Sequence, residues 1–178
     1  AKANPEALNY GSIGPGSLAY LAAEWFRSTT GIRMTEVSYQ GTAPAVTALM
    51  ASEIQLMFSV LGASLPHVRS GRARALAVTG ARRSRLMPEV PTVAESGVPG
   101  FDQTTWNALL APAHTAPETV ARLFNEIDTI LKMPAIRERF AAEGVELGGI
   151  PPEQLAANIK SEIEKWAKVA RDANMRAE

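Results

Sequence analysis

The chain has 178 residues and a mass of 19.0 kDa, enough for one ordinary domain or two small lobes. Because 46% of the residues are hydrophobic, the chain can build a core and does not resemble a disordered tail. Eighteen basic residues balance eighteen acidic ones, which argues against a nucleic-acid or acidic-lipid binder. Cysteine is absent, which excludes thiol catalysis, disulfides and thiolate metal sites. The two histidines leave little for other metal sites, so we expect no metal site. No cofactor is expected either.

The first 80 residues predict alternating strands and helices. Residues 8–13 predict a strand, and Ser17, a good N-cap, predicts the start of a helix that Gly31 ends. A second strand is predicted over residues 34–39, and Pro44 fits the first turn of the helix after it. A strand over 54–60, a helix over 61–69 and a strand over 74–79 complete the series. This alternation indicates an α/β fold with a mainly parallel sheet and right-handed crossovers.

The pattern changes after residue 80. A segment rich in proline and glycine covers residues 87–100, and a strand-like stretch lies within 101–112. From Pro117 the chain is predicted to be helical, with interruptions at Pro134 and Gly144 and a last helix opened by Pro151-Pro152. The best internal boundary therefore lies near residues 105–112. No apolar run approaches the roughly 20 residues that span a bilayer, and no signal-peptide pattern is present, which indicates a cytosolic, processed or trimmed chain.

Two turns that lead from a strand into a helix are the strongest candidates for a binding site. They cover residues 11–17 and 39–43. Free N–H groups and the positive end of the helix dipole make such a turn attractive to an anion. Both turns fall at the edge of a parallel sheet where α/β proteins usually bind ligands. The sequence predicts an anion pocket there, although two ordinary connections are the equal alternative.

A dinucleotide site is the second hypothesis. Gly14, Gly16 and Ala19 fit the pattern G-x-G-x-x-A, which requires an acidic residue at the end of the second strand. Glu36 is near the required distance but lies inside the predicted strand. An enzyme fragment that binds a dinucleotide therefore remains the alternative function. Trp106 follows the proline-rich segment, where a hinge or pocket-wall role and a core role are both open.

Several motifs in order resemble one known family. They include LNYGS at residues 8–12, VSYQGTAPA at 37–45 and LLAPA at 109–113. RALAVT at 74–79 and PEVPTVAESG at 88–97 are the most specific. Over nearly its whole length the sequence resembles the Bug (TctC-like) family of solute-binding receptors of tripartite tricarboxylate transporters.

The resemblance implies a type II periplasmic-binding-protein fold, in which two α/β lobes close over a small carboxylate. Such a receptor is periplasmic, is not an enzyme, binds no nucleic acid and delivers its solute to membrane permease subunits. Residues 1–104 would form the second lobe. Residues 105–178 would be a crossover strand and C-terminal helices that pack on the first lobe. The N-terminal lobe is missing, so we expect a fragment with half a binding site whose exposed helices pack on the lobe itself or on another chain.

The resemblance also implies the residues that hold the solute, a mono- or dicarboxylate whose identity stays open. Family ligands are held largely by backbone N–H groups and ordered water. Two positions depart from the family pattern: Gln40 replaces a frequent lysine, and Ser59 replaces a frequent acidic residue. The implied ligand-binding residues are Ser12, Gly14, Gly16, Ser17, Tyr39, Gln40, Gly41, Thr42, Ala43, Ser59 and Trp106.

Overall fold

The structure is a computed structural model that describes residues 1–173 and 175. The chain divides into two compact units, one made of residues 1–105 with those from Lys168 onward, the other of residues 106–167. The elements of this part of the chain are β1 (Asn9–Ser12), α1 (Leu18–Thr30), β2 (Thr35–Ser38), α2 (Thr42–Met50), β3 (Leu56–Met57), α3 (Leu61–Arg69), α4 (Pro117–Leu131), α5 (Pro134–Ala142) and α6 (Pro152–Asp172).

A three-stranded parallel sheet lies at the centre of the first unit, with strand order β2-β1-β3. Tyr10 of β1 pairs with Glu36 of β2 on one side and with Leu56 of β3 on the other. Three of the four β1 residues are buried, as expected for a central parallel strand covered on both faces. The α/β class with a mainly parallel sheet is therefore confirmed.

The predicted fourth strand at residues 74–79 is wrong. Only an isolated bridge between Val78 and Thr92 forms there. The Val78 N–H donates to the Pro91 carbonyl at 2.9 Å, and the Thr79 carbonyl accepts from Gln103 N–H at 2.8 Å. The backbone groups of this segment are thus used by a neighbouring loop instead of a ladder with β3.

Two other strand predictions need correction. The strand predicted over 54–60 is reduced to the two residues of β3. The strand-like stretch within 101–112 forms no strand, because its backbone finds no ladder partner in the described chain. Leu109 and Leu110, its most apolar residues, are 76% and 77% exposed and so have little packing to hold them extended.

Capping residues define α1 as predicted. Ser17 is in extended conformation, and its Oγ accepts from the Tyr20 N–H at 3.2 Å. Gly31 ends the helix in the left-handed region with φ 68°, and its N–H donates to the Arg27 carbonyl at 2.9 Å. Pro44 lies in the first turn of α2, also as predicted.

The core of the first unit joins the sheet to the helices and to the proline-rich segment. Tyr10, fully buried, packs with Ala23 of α1 and Met34. Phe101 stacks on Trp25 of α1, with ring centroids 4.4 Å apart. These contacts hold α1 between the sheet and residues 93–101 and so fix the position of its N-terminus.

The PEVPTVAESG segment is held by a capping box, although it forms no helix. Thr92 Oγ1 accepts from the Glu95 N–H at 3.0 Å, and Glu95 Oε2 accepts from the Thr92 N–H at 2.7 Å. The Thr92 N–H, followed by Arg83, lowers the pKa of the Glu95 carboxyl. Val90 and Val93 on either side are buried. The motif therefore has a clear structural role.

The second unit is helical from Pro117, as predicted, and contains α4, α5 and most of α6. Pro117 and Pro134 occupy the first turns of α4 and α5, where their missing N–H groups cost nothing. Gly144 follows α5 with φ 78°, the left-handed conformation typical of a helix end. Across residues 1–173 and 175, no helix is both long and apolar enough to cross a membrane. The division into a second lobe (1–104) and a segment that packs on a first lobe (105–178) stays a prediction.

Candidate ligand-binding site

A cavity of about 220 Å³ lies in the first unit, where β1 and β3 end and α1 and α2 begin. Its walls come from the ends of the two strands, the first residues of both helices, and the segment around Gln103. None of the described residues that line it carries a charge. The cavity thus lies at the carboxyl edge of a parallel sheet and is the size of a small solute.

The first turn uses part of its own hydrogen-bonding capacity. The buried Ser12 Oγ accepts from the Gly14 N–H at 2.9 Å and donates to the Glu36 carboxylate. The Ser17 Oγ donates to the Gly14 carbonyl at 2.8 Å, and the Ser17 N–H donates to the same carbonyl at 3.2 Å. The amides of Gly14 and Ser17 are therefore engaged within the chain.

Two other amides of α1 remain for a ligand. The first N–H groups of a helix have no acceptor inside the helix, and Ser17 Oγ serves only that of Tyr20. The N–H groups of Leu18 and Ala19 consequently have no acceptor in the described chain, and both residues line the cavity. Sequence reasoning missed these two residues, although their position directly after the N-cap was the signal that could have found them.

The second turn uses fewer of its N–H groups within the chain than the first turn does. Gly41 is the N-cap of α2 with φ 125°, and a glycine offers no side-chain acceptor to the first turn. Pro44 has no N–H, and Ala45 N–H donates to the Gly41 carbonyl at 3.5 Å. The N–H groups of Thr42 and Ala43 therefore find no acceptor within the described residues, and Thr42 lines the cavity. The Tyr39 N–H donates to the Ser12 carbonyl at 3.0 Å and ties the two turns together.

The cavity brings together only some of the predicted site residues. Ser12, Ser17, Thr42 and Ser59 line it. Trp106 belongs to the second unit. The other six lie in the two turns but outside the cavity lining: Gly14, Gly16, Tyr39, Gln40, Gly41 and Ala43. The ligand-binding role of all eleven residues stays a prediction.

Glu36 does not lie where a dinucleotide site needs it. The residue sits within β2, paired with Tyr10, and not at the end of the strand. Its half-buried carboxylate accepts a hydrogen bond from the Ser12 hydroxyl. This hydrogen bond holds the carboxylate against the first turn. The carboxylate is therefore not at the end of the strand, where it could bind a ribose.

Gln103 is a polar wall residue that the sequence did not reveal. The residue is only 6% exposed, and its Nε2 donates to the Leu18 carbonyl at 2.8 Å. Its Oε1 is buried and accepts no hydrogen bond from any described residue. The residue lies 85 positions from Leu18 in the chain, so no local pattern could have joined the two.

A buried polar network lies away from the cavity. Tyr10 Oη donates to Glu24 Oε1 at 2.7 Å, and Arg27 forms an ion pair with the same carboxylate. Burial, followed by the bond to Glu24, raises the pKa of the Tyr10 phenol far above its usual value. Burial lowers the pKa of Arg27, but the Glu24 hydrogen bond and charge more than offset this, so it rises. The network attaches α1 to β1, and none of its three residues lines the cavity.

Known proteins share this sequence and this fold. BugT of Bordetella pertussis is 36% identical over 171 residues, which are 96% of this chain and 52% of BugT. An R. palustris protein solved with adipate superposes with a TM-score of 0.86 at 34% identity, covering 98% of this chain and 58% of that one. MatC from Rhodopseudomonas palustris with bound malate superposes with a TM-score of 0.74 at 29% identity, covering 92% of this chain and 57% of MatC. The periplasmic binding protein BugD superposes with a TM-score of 0.84 at 28% identity, covering 99% of this chain and 60% of BugD.

The chain thus spans about half the length of most of the curated relatives that it matches. The family model for the tripartite tricarboxylate transporter family receptor, TctC, matches residues 1–175. A match over nearly the whole chain, together with these relatives and folds, confirms the family that the motifs suggested. The chain belongs to the TctC (Bug) family, whose members are solute-binding receptors of transporters and not enzymes.

Proposed function

We propose that this chain forms the solute-binding lobe of a periplasmic receptor that captures a small carboxylate for a tripartite transporter. One observation carries the proposal: the N-termini of α1 and α2 meet at one cavity. There the N–H groups of Leu18, Ala19 and Thr42 have no acceptor in the described chain. Helix N-termini with free N–H groups attract anions, and two of them at one cavity reinforce each other.

The rest of the wall supports a carboxylate with a short carbon chain. No charged side chain lines the described wall, so the donors available to an anion are backbone N–H groups and hydroxyls such as that of Thr42. Leu18, Met57 and Phe58 provide apolar surface for the carbon skeleton. The adipate and malate complexes of related proteins are consistent with such a ligand.

We further propose that the chain is part of a longer receptor and holds half of the site. Most of the relatives are about twice as long, and a two-lobed receptor would complete the cavity with groups from its first lobe. The amides described above would then supply only part of the binding free energy. We expect this chain alone to bind carboxylates weakly. A dissociation constant in the millimolar range corresponds to only about 4 kcal/mol of binding free energy.

Amide NMR of the ¹⁵N-labelled chain tests the proposal directly, because it follows backbone N–H groups even when binding is weak. Titration with adipate and with malate should shift the Leu18, Ala19 and Thr42 resonances first. Adipamide, which has the same skeleton as adipate but no charge, should leave them unchanged. Shifts centred away from the cavity, or equal shifts with adipamide, would contradict the anion site.

Two further measurements separate the remaining hypotheses. Calorimetry with a carboxylate panel measures affinity, and submicromolar binding by this chain alone would contradict the half-site proposal. A thermal melt with NAD tests the dinucleotide alternative. Protection by NAD that is lost in Glu36→Ala would favour that alternative, whereas we expect no protection in either protein.

A further inference from the structure

We propose that the arginines around the C-terminal end of α3 form a docking surface for an acidic region of a partner protein. Residues 54–88 contain six arginines and no acidic residue, whereas in the rest of the chain 12 basic residues are outnumbered by all 18 acidic ones. Positive charge is thus concentrated in one segment of a neutral chain. The six arginines, all exposed, are Arg69, Arg72, Arg74, Arg82, Arg83 and Arg85. None of them lines the cavity, so this surface is separate from the candidate ligand-binding site.

Three of these arginines lie together in the turn that follows α3. The N–H groups of Arg72 and Ala73 both donate to the His67 carbonyl, at 2.9 and 3.1 Å, which folds the chain back onto the end of the helix. The Arg72 guanidinium also contacts His67 Nδ1 at 2.9 Å. Arg69 is the last residue of α3, and Arg74 comes directly after the turn. The turn therefore gathers three guanidinium groups at one end of the helix.

The segment after the turn adds an apolar side chain to this surface. Ala75 and Ala77 pack against buried clusters of the first unit, whereas Arg74 and Leu76 between them are exposed, Leu76 to 62%. This alternation is that of an extended segment, in which every second side chain lies on the same face. Leu76 therefore lies beside Arg74. We use the name arginine surface for Arg69, Arg72, Arg74 and Leu76.

The guanidinium groups of the arginine surface keep hydrogen-bonding capacity for a partner. The side chains of Arg69 and Arg74 form no hydrogen bond or ion pair with any described residue. Arg83 in the following loop is different, because it forms an ion pair with Glu95 at 2.9 Å. Like charges gathered in one turn repel each other, and no acidic residue within 54–88 offsets this repulsion. An acidic partner would supply the missing carboxylates.

The composition of the segment favours a protein partner over a membrane or a nucleic acid. All its basic residues are arginines, whose planar fork binds carboxylates in a bidentate manner and which are enriched in protein interfaces, where lysine is depleted. Residues 69–85 contain no aromatic side chain on which a base could stack. The acidic excess in the rest of the chain would oppose attraction to an anionic membrane, whereas a protein can match the local charge and contact Leu76.

This inference goes beyond the proposed function and rests on it in one respect. A receptor that delivers a solute must contact a membrane subunit of its transporter, and the arginine surface is where we expect that contact. Solute binding and docking use different residues, so each can be measured without the other.

Two matched acidic peptides test the arginine surface by NMR on the ¹⁵N-labelled chain of 178 residues. One peptide has a phenylalanine between two runs of four glutamates, and the other has an alanine in its place. Both should shift the arginine Nε–H groups and the amides of residues 69–76. We expect the phenylalanine peptide to bind about threefold more tightly, because its ring covers part of Leu76. Leu76→Ser should abolish this difference.

Charge reversal tests the arginines themselves. Arg69→Glu combined with Arg74→Glu should weaken the binding of both peptides about tenfold, because two attractions become repulsions. Arg122→Glu combined with Arg171→Glu is the matched control. It makes the same change of charge at two exposed arginines of α4 and α6, and it should weaken binding by less than about threefold. A thermal melt verifies that both double variants fold.

Several outcomes would overturn the docking surface. Peptide shifts centred outside residues 69–76, equal binding of the two peptides to the unmodified chain, or equal losses in the two double variants would each do so. Binding to phosphatidylglycerol vesicles without binding to either peptide would make the arginine surface a membrane contact instead. Shifts of the same resonances when the chain alone is concentrated would make the partner a second copy. Adipate titration of the same samples reports on the cavity, so a failure of the proposed function is seen separately.

Discussion

Leu18→Pro removes one proposed anion donor from the backbone while keeping the helix. Leu18 is the first residue of α1, and proline is favoured at that position because its N–H has no acceptor inside the helix. A proline also requires an extended residue before it, and Ser17 already has φ −73° and ψ 150°. The Leu18 carbonyl, which accepts from Gln103, is retained. Few backbone donors can be deleted so selectively.

The expected loss of affinity follows from the strength of one bond. A hydrogen bond to a charged group contributes about 1.5–3 kcal/mol. Leu18 is 41% exposed, so water screens the interaction and the lower end of that range applies. A loss of about 1.5 kcal/mol corresponds to an affinity for adipate that is about tenfold weaker.

The assay is an amide titration with adipate that follows the Thr42 resonance, which both proteins retain. Leu18→Ala is the matched control, since it removes the side chain but keeps the N–H, and it should change affinity by less than about threefold. A thermal melt verifies that both variants fold. If Leu18→Pro bound adipate as tightly as Leu18→Ala does, the reasoning from backbone donors at α1 would be refuted.

Two further predictions concern the scaffold. A Cβ at Gly11 would overlap Ile54 Cδ1 in the core, so Gly11→Ala should lower the free energy of unfolding by about 1–3 kcal/mol. A Cβ at Gly148 would meet no atom within 4 Å, so the control Gly148→Ala should change that free energy by less than about 0.5 kcal/mol. Urea denaturation measures both. The lowered pKa of Glu95, caused chiefly by the Thr92 N–H, means that its stabilisation is present above its ordinary pKa of 4.5 and is lost as pH falls through the folded value. Glu95→Gln should therefore flatten the acid side of the stability profile, and an unchanged profile in thermal melts between pH 6 and 3 would contradict this.

Local chemistry made the order of elements in the first unit predictable. Ser17 and Gly31 define a helix through contacts with residues three or four positions away, and both act as the sequence indicated. The strands were harder, because pairing depends on partners distant in the chain. Residues 74–79 have a strand-like pattern, yet Val78 and Thr79 bond to residues 91–93 and 103 instead of to the sheet.

The candidate site was predictable at the level of turns but not of single atoms. The glycines and the Ser17 cap located the first turn, because glycine tolerates the backbone conformations of a turn and serine is favoured as an N-cap. The sequence could not show that Ser12 would occupy the Gly14 amide, because that depends on a side-chain conformation. Nor could it show that Gln103 would reach Leu18 across 85 positions.

The backbone of the two turns and the side chains of the cavity wall contribute differently to recognition. Backbone N–H groups are unchanged by every substitution except proline, so replacing lysine by Gln40 or an acidic residue by Ser59 leaves the proposed anion donors in place. Such donors can fix the class of ligand, a carboxylate, but they do not distinguish one carboxylate from another. That choice requires side chains of the wall, where Met57 and Phe58 offer an apolar surface. Substitutions at these positions should therefore change which solute binds without removing the preference for an anion.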